Sequence, residues 1–311
     1  MDERIFVVGS GAIGGLYGGK LAAIGLDVSF LCRSDYEVVK SEGLFIKSVW
    51  GDFRATPARV VKNAEELNFY PDYILVCLKV LPQIDVPSII RPAVGDNTAI
   101  CLIQNGIDIE PPVQKAFPSN EIISGLAFVC CHRTAPGQIE HLDYGRLVLG
   151  NYPKGTSKTT EKLADIFRHA GIPCTTTDDV VGARWQKLVW NAPFNPISVL
   201  AGGVTTDEML SDTGMKSLIR AIMDEVCRLA EKDGHPLPSS VIDENISFTE
   251  TMTPYKTSML LDFESKRPME VEAILGNAVR KGKELGVAIP HIETLYRLLK
   301  MVDMKNRENG R

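Results

Sequence analysis

Residues 4–25 read RIFVVGSGAIGGLYGGKLAAIG, and this stretch decides the fold. An apolar run too short for a helix, 4–8, leads directly into Gly9, Gly11 and Gly14 in the spacing GxGxxG, and then into an amphipathic run over 14–24. Strand, tight turn and helix in that order form the first half of a βαβ unit. Each glycine has its own reason. Gly9 permits the tight turn, Gly11 lets backbone approach a pyrophosphate, and Gly14 lets the helix pack close to the strand. The N–H groups of the first turn, at Ala12 and Ile13, then face an anion together with the helix dipole. The expectation is a dinucleotide site made by Gly9, Gly11, Ala12, Ile13 and Gly14.

Outward from this turn, short apolar runs recur at 27–32, 73–78, 98–103 and 121–129, with amphipathic stretches such as 107–117 between several of them. Such alternation predicts a parallel sheet with helices on both faces. Residues 137–150, GQIEHLDYGRLVLG, read as a hairpin-type pair of strands at an antiparallel edge, and 156–170 as one more helix. From about residue 178 the strand signal fades. Helical patterns over 180–191, 208–232, 240–252, 271–285 and 292–301 take over, with apolar residues three and four apart, as at Leu218, Ile222, Val226 and Leu229. The predicted fold is an N-terminal α/β Rossmann-like domain, 1–177, followed by an all-α C-terminal domain, 178–311.

Composition narrows the function. A chain of 311 residues can hold two cores, and its 44% hydrophobic and 23% charged content is that of an ordinary globular enzyme. A net charge of -5 offers no general attraction for nucleic acid. The seven cysteines form no CxxC pair and four lie in apolar runs, so a reducing compartment is expected and no metal site. The five histidines are scattered without ligand spacing. No signal peptide is read at the start and no run approaches a membrane span of ~20 residues, so the expected location is cytoplasmic, away from membranes. The apolar helical half could pair with a second copy as a homodimer.

Two further segments carry chemistry. The second strand ends in LCRSD, placing Arg33 where NAD-type sites carry an acidic residue for the ribose 2′-hydroxyl. A guanidinium there suits a 2′-phosphate, so NADP(H) is the expected cofactor. Asp35 lies two residues on and could take the acidic role, but the register fits Arg33 better. At the start of the helical half, RWQKLVWNAPFNP spaces Lys187, Asn191 and Asn195 four apart, on one helix face that drifts by about 40° per step. A substrate carrying a carbonyl and a carboxylate would partner such a stripe; an exposed polar face is the competing reading. Pro193 and Pro196 predict a kink or a helix end near Asn195.

Taken together and in this order, VVGSGAIGG, LCRSD, VCLKV, IQNGI, RWQKLVWNAPFNP and SMLLDFESKRPMEVEAILG resemble the 2-dehydropantoate 2-reductase (ketopantoate reductase) family through nearly the whole chain. The resemblance implies NADPH-dependent reduction of 2-dehydropantoate to pantoate, a step in pantothenate and coenzyme A biosynthesis. It gives Lys187 the role of general acid and Glu270 that of binding the substrate hydroxyl beside it. It further implies that Asn191, Asn195 and Ser258 contact substrate, and that Lys79 and Asn105 lie around the nicotinamide ribose, Asn105 also at the substrate. A third family asparagine falls near Thr205, and a polar position before Ser258 is Tyr255; both bear on which acid is bound. Reduction of another small 2-oxo acid, and a non-catalytic NADP-binding sensor, remain the alternatives.

Overall fold

A computed structural model describes residues 3–308. The chain separates into two compact units. The first comprises residues 1–79, 83–104 and 109–180; the second comprises 80–82, 105–108 and 181–311. The second unit therefore recruits two short segments from the first half of the chain, which a single cut in the sequence does not anticipate.

The first unit holds ten strands: β1 (Arg4–Val8), β2 (Asp27–Leu31), β3 (Leu44–Ser48), β4 (Phe53–Ala55), β5 (Arg59–Val61), β6 (Tyr73–Val76), β7 (Ala99–Ile103), β8 (Ile122–Ala135), β9 (Gln138–Asn151) and β10 (Cys174–Thr176). Helices α1 (Ala12–Ala23), α2 (Tyr36–Glu42), α3 (Val86–Ile90), α4 (Pro111–Ala116) and α5 (Lys158–His169) connect them. They form one sheet in the order β4-β3-β9-β8-β7-β6-β1-β2-β5, with β10 also paired to β9. From β8 to β5 every pairing is parallel. Strand β2 lies on one side of β1 and β6 on the other, so the winding reverses at β1, where open α/β sheets bind their ligands. Ile5, Val7, Leu16, Val28, Phe30 and Leu75 belong to the core beneath it.

One expectation changes form. Residues 138–151 are a single strand rather than a hairpin pair; β9 runs antiparallel to β8 and is covered on its far side by β3. The turn-like residues Tyr144 and Gly145, at φ 60° and 118°, are absorbed as an irregularity in the ladder, where the register shifts opposite Phe128 and Val129.

The second unit is helical: α6 (Val180–Leu200, its first residue in the first unit), α7 (Thr206–Ser211), α8 (Thr213–Lys232), α9 (Val241–Thr251), α10 (Ser258–Glu264), α11 (Asn277–Leu285) and α12 (Pro290–Glu308). A π-helical turn, Glu272–Gly276, leads into α11. Helix α6 does not end near Asn195: it continues through Pro193 and Pro196 to Leu200. Ala192, Phe194, Ile197 and Val199 are all buried in the second core. Phe194, Ile197 and Val199 each stabilise by roughly 1.5–3 kcal/mol, enough together to offset the hydrogen bonds that the prolines remove. Among the described residues, no helix is long and apolar enough to cross a membrane.

Candidate active site

The glycine turn of the first unit is built as its spacing predicts. Gly9 has φ 105°, and a Cβ there would stand 2.9 Å from the Leu78 side chain. A Cβ on Gly14 would lie 2.0 Å from the Gly9 carbonyl oxygen and 3.1 Å from the Cys77 Cβ, so only glycine lets α1 start this close to its own strand. Burial pushes the Cys77 thiol well up, so it packs there as a neutral apolar group. Gly11 is different: a Cβ on it would meet nothing within 4 Å. Gly11 caps α1 and, being glycine, offers no side-chain cap, so no cap side chain takes the first-turn N–H groups at Ala12 and Ile13. Close packing on one side and open room beside bare amides on the other fit a pyrophosphate cradle.

At the end of β2, Arg33 is exposed and its side chain has no partner among the described residues. Asp35, 1% exposed, is fully engaged instead: it pairs with Arg133 and accepts from the Ser34 hydroxyl at 2.8 Å and the Gly137 N–H at 3.4 Å. It is not available as a ribose acceptor in this arrangement. Lys79, half-buried, is the last residue of its segment in the first unit.

The second unit brings three of the sequence-selected residues together. Lys187 Nζ donates to Asn105 Oδ1 at 2.8 Å, and Asn105 Nδ2 donates to Glu270 Oε2 at 3.3 Å. The Val80 N–H donates to the other oxygen, Glu270 Oε1, at 2.8 Å. Glu270 stands immediately before the helical turn that begins at Val271, half-buried and turned inward rather than out to solvent. An ammonium, an amide and a carboxylate therefore form one chain of hydrogen bonds. Asn191 and Asn195 follow Lys187 on the same face of α6 and are 8% and 2% exposed. Neither amide has a hydrogen-bond partner among the described residues, nor is either sealed from solvent. Buried amides are ordinarily paired, so two open ones beside an ammonium mark a place for a ligand.

Ser258 does not join this cluster. It is exposed at the first turn of α10, while its neighbour Thr257 is the buried cap and lies 2.7 Å, hydroxyl to hydroxyl, from Ser198 of α6. The positions of Thr205 and Tyr255 prove to be neighbours. The Thr206 N–H donates to the Tyr255 carbonyl at 3.2 Å, and the Tyr255 N–H donates to Thr206 Oγ1 at 3.2 Å.

What sequence reading missed is the bracing of Asn105. Its segment is held by Arg184, which donates to the Gly106 carbonyl at 3.0 Å, and by Asn277, whose amide reaches the Ile107 carbonyl at 2.5 Å. Lys281 ion-pairs with Asp108 at 3.3 Å and with Asp233 at 3.4 Å; Asp233 also accepts from the Trp185 indole at 3.0 Å. The Ile107 N–H donates to the Ala273 carbonyl at 3.3 Å, inside the π-helical turn, where the widened hydrogen-bond pattern leaves a carbonyl to spare. Gly106, at φ 99°, must be glycine: a Cβ there would lie 2.4 Å from that same carbonyl oxygen. The Asn-Gly pair at 105–106 was the visible trace of this approach, but its partner was not.

A reversing parallel sheet with an open glycine turn, together with a helical unit holding an ammonium, an amide and a carboxylate, defines a dinucleotide-dependent oxidoreductase. Two family models match, "Ketopantoate reductase PanE/ApbA" over residues 5–154 and its C-terminal counterpart over 179–303. The chain belongs to the ketopantoate reductase family. It is 38% identical to a 2-dehydropantoate 2-reductase of Nostoc sp. over 99% of this chain and 98% of that protein. Crystal structures of 2-dehydropantoate 2-reductases from Methylococcus capsulatus (51% identity, TM-score 0.91, 97% of both chains) and Geobacter metallireducens (38%, TM-score 0.91, 96% of this chain and 99% of that one) share its fold.

Proposed function

We propose that the protein reduces 2-dehydropantoate to pantoate with NADPH, and that Lys187 is the proton donor. The observation that carries this reading is the Lys187–Asn105–Glu270 chain beside the two unpaired amides of Asn191 and Asn195. Bound NADPH supplies a hydride to the ketone carbon of the acid. Negative charge then grows on the carbonyl oxygen, and an ammonium aimed at that oxygen stabilises the transition state more than the ground state before releasing its proton. Asn105 fixes the direction of the Lys187 amine, because its oxygen accepts from Nζ while its nitrogen is held by Glu270. Asn191 and Asn195 offer N–H donors to the substrate carboxylate and carbonyl, and Glu270 accepts its hydroxyl. The glycine turn takes the pyrophosphate. The exposed guanidinium of Arg33, with Asp35 already occupied, favours a ribose carrying a 2′-phosphate.

The assay is NADPH oxidation by the purified protein over a panel of branched and unbranched 2-oxo acids. The expected result is the highest kcat/KM with 2-dehydropantoate. A higher value with another 2-oxo acid would transfer the chemistry to that substrate. Tight NADPH binding with no turnover on any of them would leave a sensor rather than an enzyme.

A further inference from the structure

The end of β2 carries two opposite messages side by side: Arg33 suits a 2′-phosphate, whereas a released Asp35 carboxylate would accept ribose hydroxyls. A second guanidinium resolves the conflict. Arg133, near the end of β8 and 98 residues away in sequence, pairs with Asp35 Oδ1 and donates from the same Nη1 to Ser34 Oγ at 3.2 Å. Asp35 is almost wholly buried and the Arg133 side chain 33% exposed. The remaining Asp35 oxygen accepts from Gly137 just beyond β8, so strand and turn together hold the carboxylate inward.

Without Arg133, a buried carboxylate would stand uncompensated next to Arg33. It would repel a phosphate and regain the freedom to accept a hydroxyl. With Arg133 in place, the charges of Arg33, Asp35 and Arg133 sum to one positive charge, and Ser34 is held between Arg133 and Asp35.

We propose that Arg133 is a specificity-determining residue for the dinucleotide: by sequestering Asp35 and adding a second cation against Ser34, it reserves the end of β2 for a phosphate on the ribose 2′-oxygen. This rests on the NADP reading given above. It assigns discrimination to a residue far from the glycine motif in sequence, delivered by the long β8–β9 ladder.

The test uses the full-length protein and its Arg133→Met, Arg133→Gln and Arg133→Lys variants. Calorimetric titration measures the affinity for adenosine 2′,5′-bisphosphate and for 5′-AMP, and kinetics measure the NADPH-to-NADH ratio of kcat/KM with one 2-oxo acid. Arg133→Met and Arg133→Gln are expected to lower the bisphosphate-to-AMP preference by about tenfold or more, because a charge a few ångströms away is lost and Asp35 is released. Arg133→Lys should keep most of the preference. AMP affinity should hold throughout, which shows that the rest of the site is intact. Equal weakening of both nucleotides, or an undiminished preference in whichever neutral variant folds, overturns the role of Arg133. A wild-type protein that does not itself distinguish the two nucleotides sinks the NADP reading instead, so the two failures are separable.

Discussion

The glycine turn and the Lys187 cluster solve the same problem, holding polar groups in fixed positions, by opposite means. The turn uses six consecutive residues and mostly backbone, and its shape is set by what glycine allows. The cluster draws side chains and one amide from four separate places, Val80, Asn105, Lys187 and Glu270, and its shape is set by bracing around Asn105. A backbone cradle is robust because its geometry is local. A side-chain cluster is only as exact as the elements that hold it.

The comparison breaks most visibly at the ammonium. Lys187→Ala should lower turnover by roughly 10²–10⁴-fold, the usual worth of a positioned acid, while leaving the dissociation constant for NADPH nearly unchanged. Single-turnover kinetics and a binding titration on the same preparation check it. Parallel loss of cofactor binding would show that the side chain acts structurally.

Next come two glycines that look alike in sequence and differ in space. Gly106→Ala places a Cβ against the Ala273 carbonyl at an unfavourable φ, and should cost on the order of 2–4 kcal/mol of stability and displace Asn105. Gly11→Ala meets open space, so the unfolding midpoint should stay within about 2 °C, while the dinucleotide binds about tenfold more weakly because the new methyl stands where the pyrophosphate approaches. Thermal unfolding and cofactor titration of both variants decide the matter. A Gly11→Ala protein with undiminished affinity would remove the pyrophosphate from this turn.

The same contrast explains what was legible in the sequence. β1 was readable to the residue, and the glycine turn into α1 with it, because strand period, glycine spacing and helix onset all lie within about 20 residues. Lys187, Asn191 and Asn195 were readable as a stripe because helical periodicity is also local. Their link to Glu270 came only through family resemblance, since no local rule joins residues 83 positions apart. The recruitment of 80–82 and 105–108 into the helical unit, the π-helical turn and the Arg133–Asp35 pair were invisible for the same reason. Proline rules left a kink or an end near Asn195 open, and of the two the end does not occur: those rules describe a lone helix, whereas core burial carries this one on to Leu200. Ser258 was selected beside Thr257, and it is the threonine that turns inward.

The smallest expected effect tests the brace itself. Glu272 lies in the π-helical turn whose Ala273 carbonyl holds Ile107, and its carboxylate accepts from Arg280 at 2.8 Å, Lys300 at 2.9 Å and the Tyr296 hydroxyl at 2.8 Å. Burial works against the charge, but those three bonds outweigh it and bring the pKa down to about 2. A carboxylate depressed in the folded state binds fewer protons than in the unfolded chain, so its stabilisation is complete above the unfolded value of ~4.3 and fades as pH falls toward about 2. Arg280 and Lys300 are 58% and 51% exposed, and solvent screening reduces the contribution to about 1 kcal/mol. Glu272→Gln keeps an acceptor oxygen and removes only the charge. Urea unfolding of the two proteins at pH 7, 5 and 3 should show a difference of about 1 kcal/mol that shrinks toward acid. A difference that persists undiminished at pH 3 would mean that packing of the turn, and not its charge, holds Asn105 in place.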